Sequence, residues 1–126
     1  MNKEIISTST APGAVGPYSQ GVRSNGFLFL SGQIALDPAT GKLVGDTAQC
    51  QAEQVCKNIM ALLASQGLTA ESVVKTTVFI TDIQTFAHVN EVYAKYFTAP
   101  CPARSCVEVG KLPLGALVEI EVIAAL

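Results

Sequence analysis

The sequence predicts an α/β or α+β sandwich with two helices on one face of a sheet. Three observations carry this. A helical stripe with start and stop signals occupies the middle of the chain, a β-branched alternating run follows it, and the segments read strands, helix, strand, helix, strands. The 126 residues suit one compact domain, 1–126, burying roughly two thirds of its unfolded surface.

KEIIS reads as a short first strand, and TSTAPGAVGPYSQG after it is a loop, because its Gly and Pro punctuation excludes a helix. GVRS and FLFLSGQI form a hairpin across Asn25-Gly26, a pair that supplies the positive φ angles of tight hairpin turns. Pro38 and Gly41 mark a second turn. In the first helix, Asp46 is the expected cap, Gln49 stands in capping-box position and Gly67 is the stop. Its stripe is Ala48, Ala52, Val55, Ile59, Leu62 and Leu63. Residues 73–80 (VVKTTVFI) alternate, with Val74, Thr76, Val78 and Ile80 expected on one face and Lys75, Thr77 and Phe79 on the other. A second helix is expected from about Asp82 to Phe97, facing inward through Phe86, Val89, Tyr93 and Phe97. PCPAR breaks the chain before two final strands, RSCVEV and LVEIEVIAA.

The charged fraction is 14%, against about 25% in an ordinary domain, and the hydrophobic fraction is 49%. Such a surface is expected to be hidden partly in an oligomer. A sheet with both helices on one side leaves its other face bare, and Lys75, Thr77, Glu119 and Glu121 make that face too mixed for a dry core; it suits contact with copies of the chain. No run of about 18 to 20 apolar residues is present, and the N-terminus lacks the apolar core of a signal peptide, so the expectation is a soluble cytoplasmic protein with no membrane partner. A net charge of −2 argues against a nucleic-acid partner. The four cysteines lack metal-ligand spacing and are read as reduced thiols, with no metal site.

Arg104 shares its strand face with Cys106 and Glu108, and is either an edge-strand arginine paired with a nearby carboxylate or a fork for a substrate carboxylate. Glu119 and Glu121 share the opposite kind of choice: a solvated outer face, or a carboxylate shielded enough to act as a base toward water. Asn90 lies on the inner side of the second helix and needs a partner, whereas His88 falls on the outer side with Gln84, Glu91 and Lys95. Tyr18 sits in the Gly/Pro loop, and Ser31-Gly32 ends a strand where the backbone could approach a ligand or simply bulge. There is no phosphate loop, nucleophile elbow or triad, so any chemistry is easy chemistry on a small anion.

Together GPYSQGV, SGQIALDPATG, VVKTTVFITDI, FAHVNEVYAKYF and PARSCVEVGKLPLGALVEIEVIA resemble the Rid, or YjgF, family of reactive-intermediate deaminases, from about Ile5 to Ala124. The resemblance implies an α+β chorismate-mutase-like fold, a single mixed sheet with two helices on one face, assembled as a homotrimer with an inner β-barrel and clefts between subunits. It implies hydrolysis of 2-aminoacrylate-derived and related 2-imino acids, such as 2-iminobutanoate and 2-iminopropanoate, to 2-keto acids and ammonia without a cofactor. Carried onto this chain, it makes Arg104 the ligand of the substrate carboxylate and Glu119 the residue that positions or activates water. Tyr18, Ser31, Gly32, Asn90 and Cys106 match cleft-lining positions, Cys106 through its backbone rather than as a nucleophile. Two rival readings stand beside it: an RNA-cleaving translation inhibitor, against which the acidic balance and the single outward His88 argue, and a non-catalytic ligand-binding or holdase-like trimer.

Overall fold

The structure is a computed structural model that describes residues 2–126. Six strands form one mixed sheet in the order β1-β2-β3-β6-β4-β5: β1 Glu4–Ile6, β2 Gly21–Ser24, β3 Phe27–Gln33, β4 Val73–Ile80, β5 Ala103–Glu108 and β6 Val118–Ala125. All neighbours are antiparallel except β4 and β5, which run parallel and are joined across helix α2, Phe86–Tyr96. That join is the long crossover a parallel pair requires. Asn25 (φ 52°) and Gly26 (φ 82°) make the expected tight turn of the β2–β3 hairpin.

Helix α1 runs Ala48–Ser65, and its expected stripe is buried throughout. Its cap, however, is Thr47 and not Asp46. Thr47 is extended (φ −122°, ψ 157°) and its hydroxyl accepts from the Cys50 N–H at 3.1 Å, so the helix starts one residue late and Gln49 is left exposed rather than in a capping box. Gly67 (φ 72°) ends it as expected: its N–H donates to the Ala64 carbonyl and that of Leu68 donates to Leu63. Asp82 caps a separate short turn, Ile83–Thr85, so α2 itself begins at Phe86.

Both helices cover one face of the sheet, where Leu28, Leu30, Val78, Ile80, Val118, Ile120 and Val122 meet Val55, Ile59, Leu62, Val89 and Phe97 in one core. The expected alternation of β4 fails at its first residue. Val73 and Lys75 pair with successive residues of β6, Ala124 and Ile123, so Val74 is an inserted bulge residue and is 43% exposed, while Val73 takes the inner place. From Lys75 onward the two faces are as the pattern predicts.

Among the described residues no helix covers the other face. Strand register places Ile5, Val22, Phe29, Ile123 and Lys75 in one row across it, with Thr77 opposite Glu121 and Phe79 opposite Glu119. Phe27 and Phe29 are each about two-fifths exposed there.

Candidate functional site

The bare face holds a groove of about 630 Å3, lined by Tyr18, Ser31, Gly32, Ile34, Leu114, Glu119 and neighbouring residues. Buried Gln20 positions its loop wall: its carboxamide oxygen accepts from the Thr8 N–H at 2.7 Å, and its nitrogen donates to the carbonyls of Thr8 and Pro12 at 3.0 and 2.8 Å. Those bonds fold residues 8–20 back on themselves and hold Tyr18 at the groove. The Ser31 hydroxyl donates to the Ser19 carbonyl and ties the loop to β3.

Gly32 sits where the β3–β6 register shifts, between Leu30 and Gln33. A β-carbon there would lie 2.9 Å from the Glu119 carboxyl carbon and closer still to its Oε2. Only glycine lets the carboxylate lie against the strand backbone. Burial pushes the Glu119 carboxyl above the usual carboxylate range, and the neighbouring Glu121 adds to the rise. A carboxylate so placed binds a proton more strongly than one in water.

A second cluster forms on the helix-covered side. Strand β5 is an edge strand whose Arg104 lies beside Thr76 of β4, on the same face. Phe86, Asn90 and Tyr93 follow at helical spacings of four and three, so all three meet the guanidinium. Arg104 Nη1 donates to Asn90 Oδ1 at 2.7 Å, and its central carbon stands 4.7 Å from the Tyr93 ring centre and 5.3 Å from that of Phe86. The rest of its planar donor fork stays exposed and can accept a carboxylate edge-on. Cys106 lies two residues along; burial pushes its thiol up against the opposing pull of Arg104, which leaves it protonated and a weak nucleophile.

The sequence candidates therefore separate into two groups. Tyr18, Ser31, Gly32 and Glu119 meet at the groove, while Asn90, Arg104 and Cys106 meet at the β5 edge. Because Arg104 pairs with Thr76 and Glu119 pairs with Phe79, which alternate across β4, the two charged groups stand on opposite faces of one chain's sheet. Glu108 is engaged elsewhere, accepting from the Ile83 N–H at 2.9 Å. The sequence reading missed Tyr93 and Phe86 as supports of Arg104; the helical spacing of both from Asn90 was the available signal. It also missed the contact of Gly32 with Glu119, which depends on a strand register that only the folded sheet supplies. Among the described residues no His, Cys, Asp and Glu cluster fits a metal, and no helix is long and apolar enough to cross a membrane.

The family described as Endoribonuclease L-PSP matches residues 8–126. The chain is 51% identical over 126 residues to Reactive Intermediate Deaminase A, chloroplastic, of Arabidopsis thaliana, covering all of this chain and 67% of that protein. It is 52% identical over 128 residues to a RutC family protein of Synechocystis, covering all of this chain and 98% of the relative. Among solved structures, a conserved Rid-family protein of Yersinia pestis superposes with a TM-score of 0.95 at 53% identity, over 98% of this chain and 99% of that one. TdcF of E. coli, solved with bound serine, superposes at 0.92 and 45% identity, over 98% of each chain. With the match running from the loop before Tyr18 through the last strand, and with relatives carrying the Rid name at half identity, the chain belongs to the Endoribonuclease L-PSP family, the Rid proteins.

Proposed function

We propose that the chain is a hydrolytic deaminase of small 2-imino acids, 2-iminobutanoate and 2-iminopropanoate among them, acting as a homotrimer whose sites lie between subunits. The observation that carries the reading is the Glu119 carboxylate, seated against Gly32 in a groove and raised in proton affinity by burial. A named deaminase relative at 51% identity supports the reaction class. The opposite placement of Arg104 and Glu119 supports a shared site, since the β5 edge of one copy must meet the groove of another for both to touch one small substrate. The row of apolar residues on the bare face supports the same assembly. Such a trimer would close three sheets into an inner barrel.

In this reading Arg104, steadied by Asn90, holds the substrate carboxylate in its open fork. Glu119 takes a proton from a water as the water oxygen bonds to the iminium carbon, giving a neutral carbinolamine. Glu119 then returns that proton to the nitrogen, the C–N bond breaks, and the carbonyl forms as the hydroxyl proton leaves with the departing ammonia. Iminium, water and carboxylate become 2-oxo acid and ammonium, with Glu119 regenerated. Imines hydrolyse readily, so positioning and one base are sufficient catalysts. Tyr18 and the backbone at Ser31, Gly32 and Cys106 complete the walls. No step uses a cofactor, and the setting is the cytoplasm.

The test is a coupled assay in which a threonine dehydratase generates the imine and 2-oxo-acid release is followed, with Arg104→Ala beside the wild type. Acceleration by the wild type and its loss in the variant are expected. Equal release with and without the protein would overturn the assignment, and RNA cleavage that survives high-salt purification and disappears in Glu119→Gln would favour the endoribonuclease reading instead.

A further inference from the structure

Thr76 is a fully buried hydroxyl in the middle of an apolar sheet face, and it pairs with the Tyr93 hydroxyl at 2.7 Å. A buried pair of this kind costs desolvation on both sides unless its geometry is fixed, so it sets the Tyr93 ring in one orientation. That ring is the face over which Arg104 stands. In the sheet, Thr76 is also the direct strand neighbour of Arg104, so hydroxyl, ring and guanidinium form one unit across β4, α2 and β5. The partly buried Phe86, one helical face away, supplies a second ring, and Asn90 takes one nitrogen.

An exposed arginine ordinarily loses considerable rotamer freedom when it grips a ligand. Here the rings and the amide restrain it before any ligand arrives, and the part of the fork left over is the part a carboxylate would use. Burial keeps the Tyr93 hydroxyl protonated, so the ring remains neutral beside the cation.

We propose that Tyr93, oriented by Thr76, and Phe86 are positioning residues that pre-set the Arg104 fork for a planar carboxylate. This rests on the deaminase reading, through the substrate carboxylate assigned to Arg104. Without the rings the guanidinium still carries its charge but samples other rotamers, so the loss falls on carboxylate affinity and leaves the water-activating step at Glu119 untouched.

The experiment titrates 2-oxobutanoate and its amide into the wild type, Tyr93→Phe, Tyr93→Leu, Thr76→Val and Phe86→Leu by calorimetry, and measures KM and kcat for the imine with the same proteins. A cation–π contact of the usual strength corresponds to about 2- to 30-fold in affinity. Tyr93→Leu is expected to weaken 2-oxobutanoate binding by about tenfold and to raise KM alike, with kcat held within about twofold. Tyr93→Phe, which keeps the ring, restores most of the affinity, and Thr76→Val lies between. Affinity for the amide, which has no carboxylate, stays the same in all five proteins. Tyr93→Leu binding 2-oxobutanoate as the wild type does, or losing the amide to the same extent, would overturn the inference. Should Tyr93→Leu melt early, Phe86→Leu carries the same expectation on a ring at the edge of the core. A wild type that neither binds 2-oxobutanoate nor turns over the imine refutes the deaminase reading as well, whereas an active wild type with an indifferent Tyr93→Leu refutes this inference alone.

Discussion

The two faces of the sheet treat their charges in opposite ways. On the helix-covered side Arg104 has an amide partner and two rings, and buried Thr76 has the Tyr93 hydroxyl. On the bare side Glu119 stands beside another carboxylate, with burial opposing its charge and, among the described residues, no hydrogen bond easing it. One cluster is assembled and restrained within a single chain; the Glu119 carboxyl is disfavoured in its charged form and lies in an open groove. Arg104 and Thr76 are satisfied within the chain, while the carboxyl to which we assign proton exchange is left in an environment that perturbs it. The same contrast appears in the apolar surface, because only the bare side exposes Phe27 and Phe29.

The strongest way to break this comparison is to separate the halves. Arg104→Ala and Glu119→Gln are each expected to lower imine hydrolysis by about 100-fold or more, the first mainly through KM and the second through kcat. With the shared site proposed above, which draws Arg104 from one chain and Glu119 from another, mixing the two inactive variants after partial denaturation and refolding should then restore activity, on the order of a quarter of the wild-type sites by random assembly. No restoration in mixed assemblies whose exchange is verified by mass spectrometry would place both groups in one chain's site and contradict their opposite faces.

A smaller effect tests the seat rather than the partners. Gly32→Ala puts a methyl group where the Glu119 carboxylate lies, so the carboxylate must swing away while β3 keeps its pairing. We expect kcat to fall by about tenfold, with circular dichroism unchanged. A variant with wild-type kcat would show that the contact does not place the base.

The sheet, both helices and the inner stripe of α1 were legible because each rests on local periodicity and turn chemistry: Asn25-Gly26, the Val55 to Leu63 stripe, Gly67. Two local details were not. Asp46 looked the better cap, but Thr47 has the extended backbone that brings its hydroxyl to Cys50. Val74 fitted an alternating pattern, but the bulge against β6 turned it outward. The candidate site residues were named through the family motif, while their division between two faces was not legible. That division depends on β4 lying between β5 and β6, a strand order that connects residues far apart in sequence and leaves no periodic trace.

The smallest expected effects concern the proton affinity of Glu119. Its carboxyl is raised first by burial and then by Glu121, so removing that neighbour lowers it. In Glu121→Gln the acid limb of the kcat profile should therefore move to lower pH without returning to the position of a carboxyl in water, because burial, the larger cause, remains. Stability carries the same sign. A carboxyl whose proton affinity is higher in the folded chain binds more protons there than when unfolded, so its charge costs stability above the folded pKa, and the cost fades as pH falls toward the unfolded value. Glu119→Gln, inactive as an enzyme, should thus melt about 2 °C higher than the wild type at neutral pH and lose that advantage below the ordinary carboxylate range. A melting point that is lower at neutral pH would mean that Glu119 is stabilised by its surroundings, and the contrast between a satisfied face and a strained one would fail at its central residue.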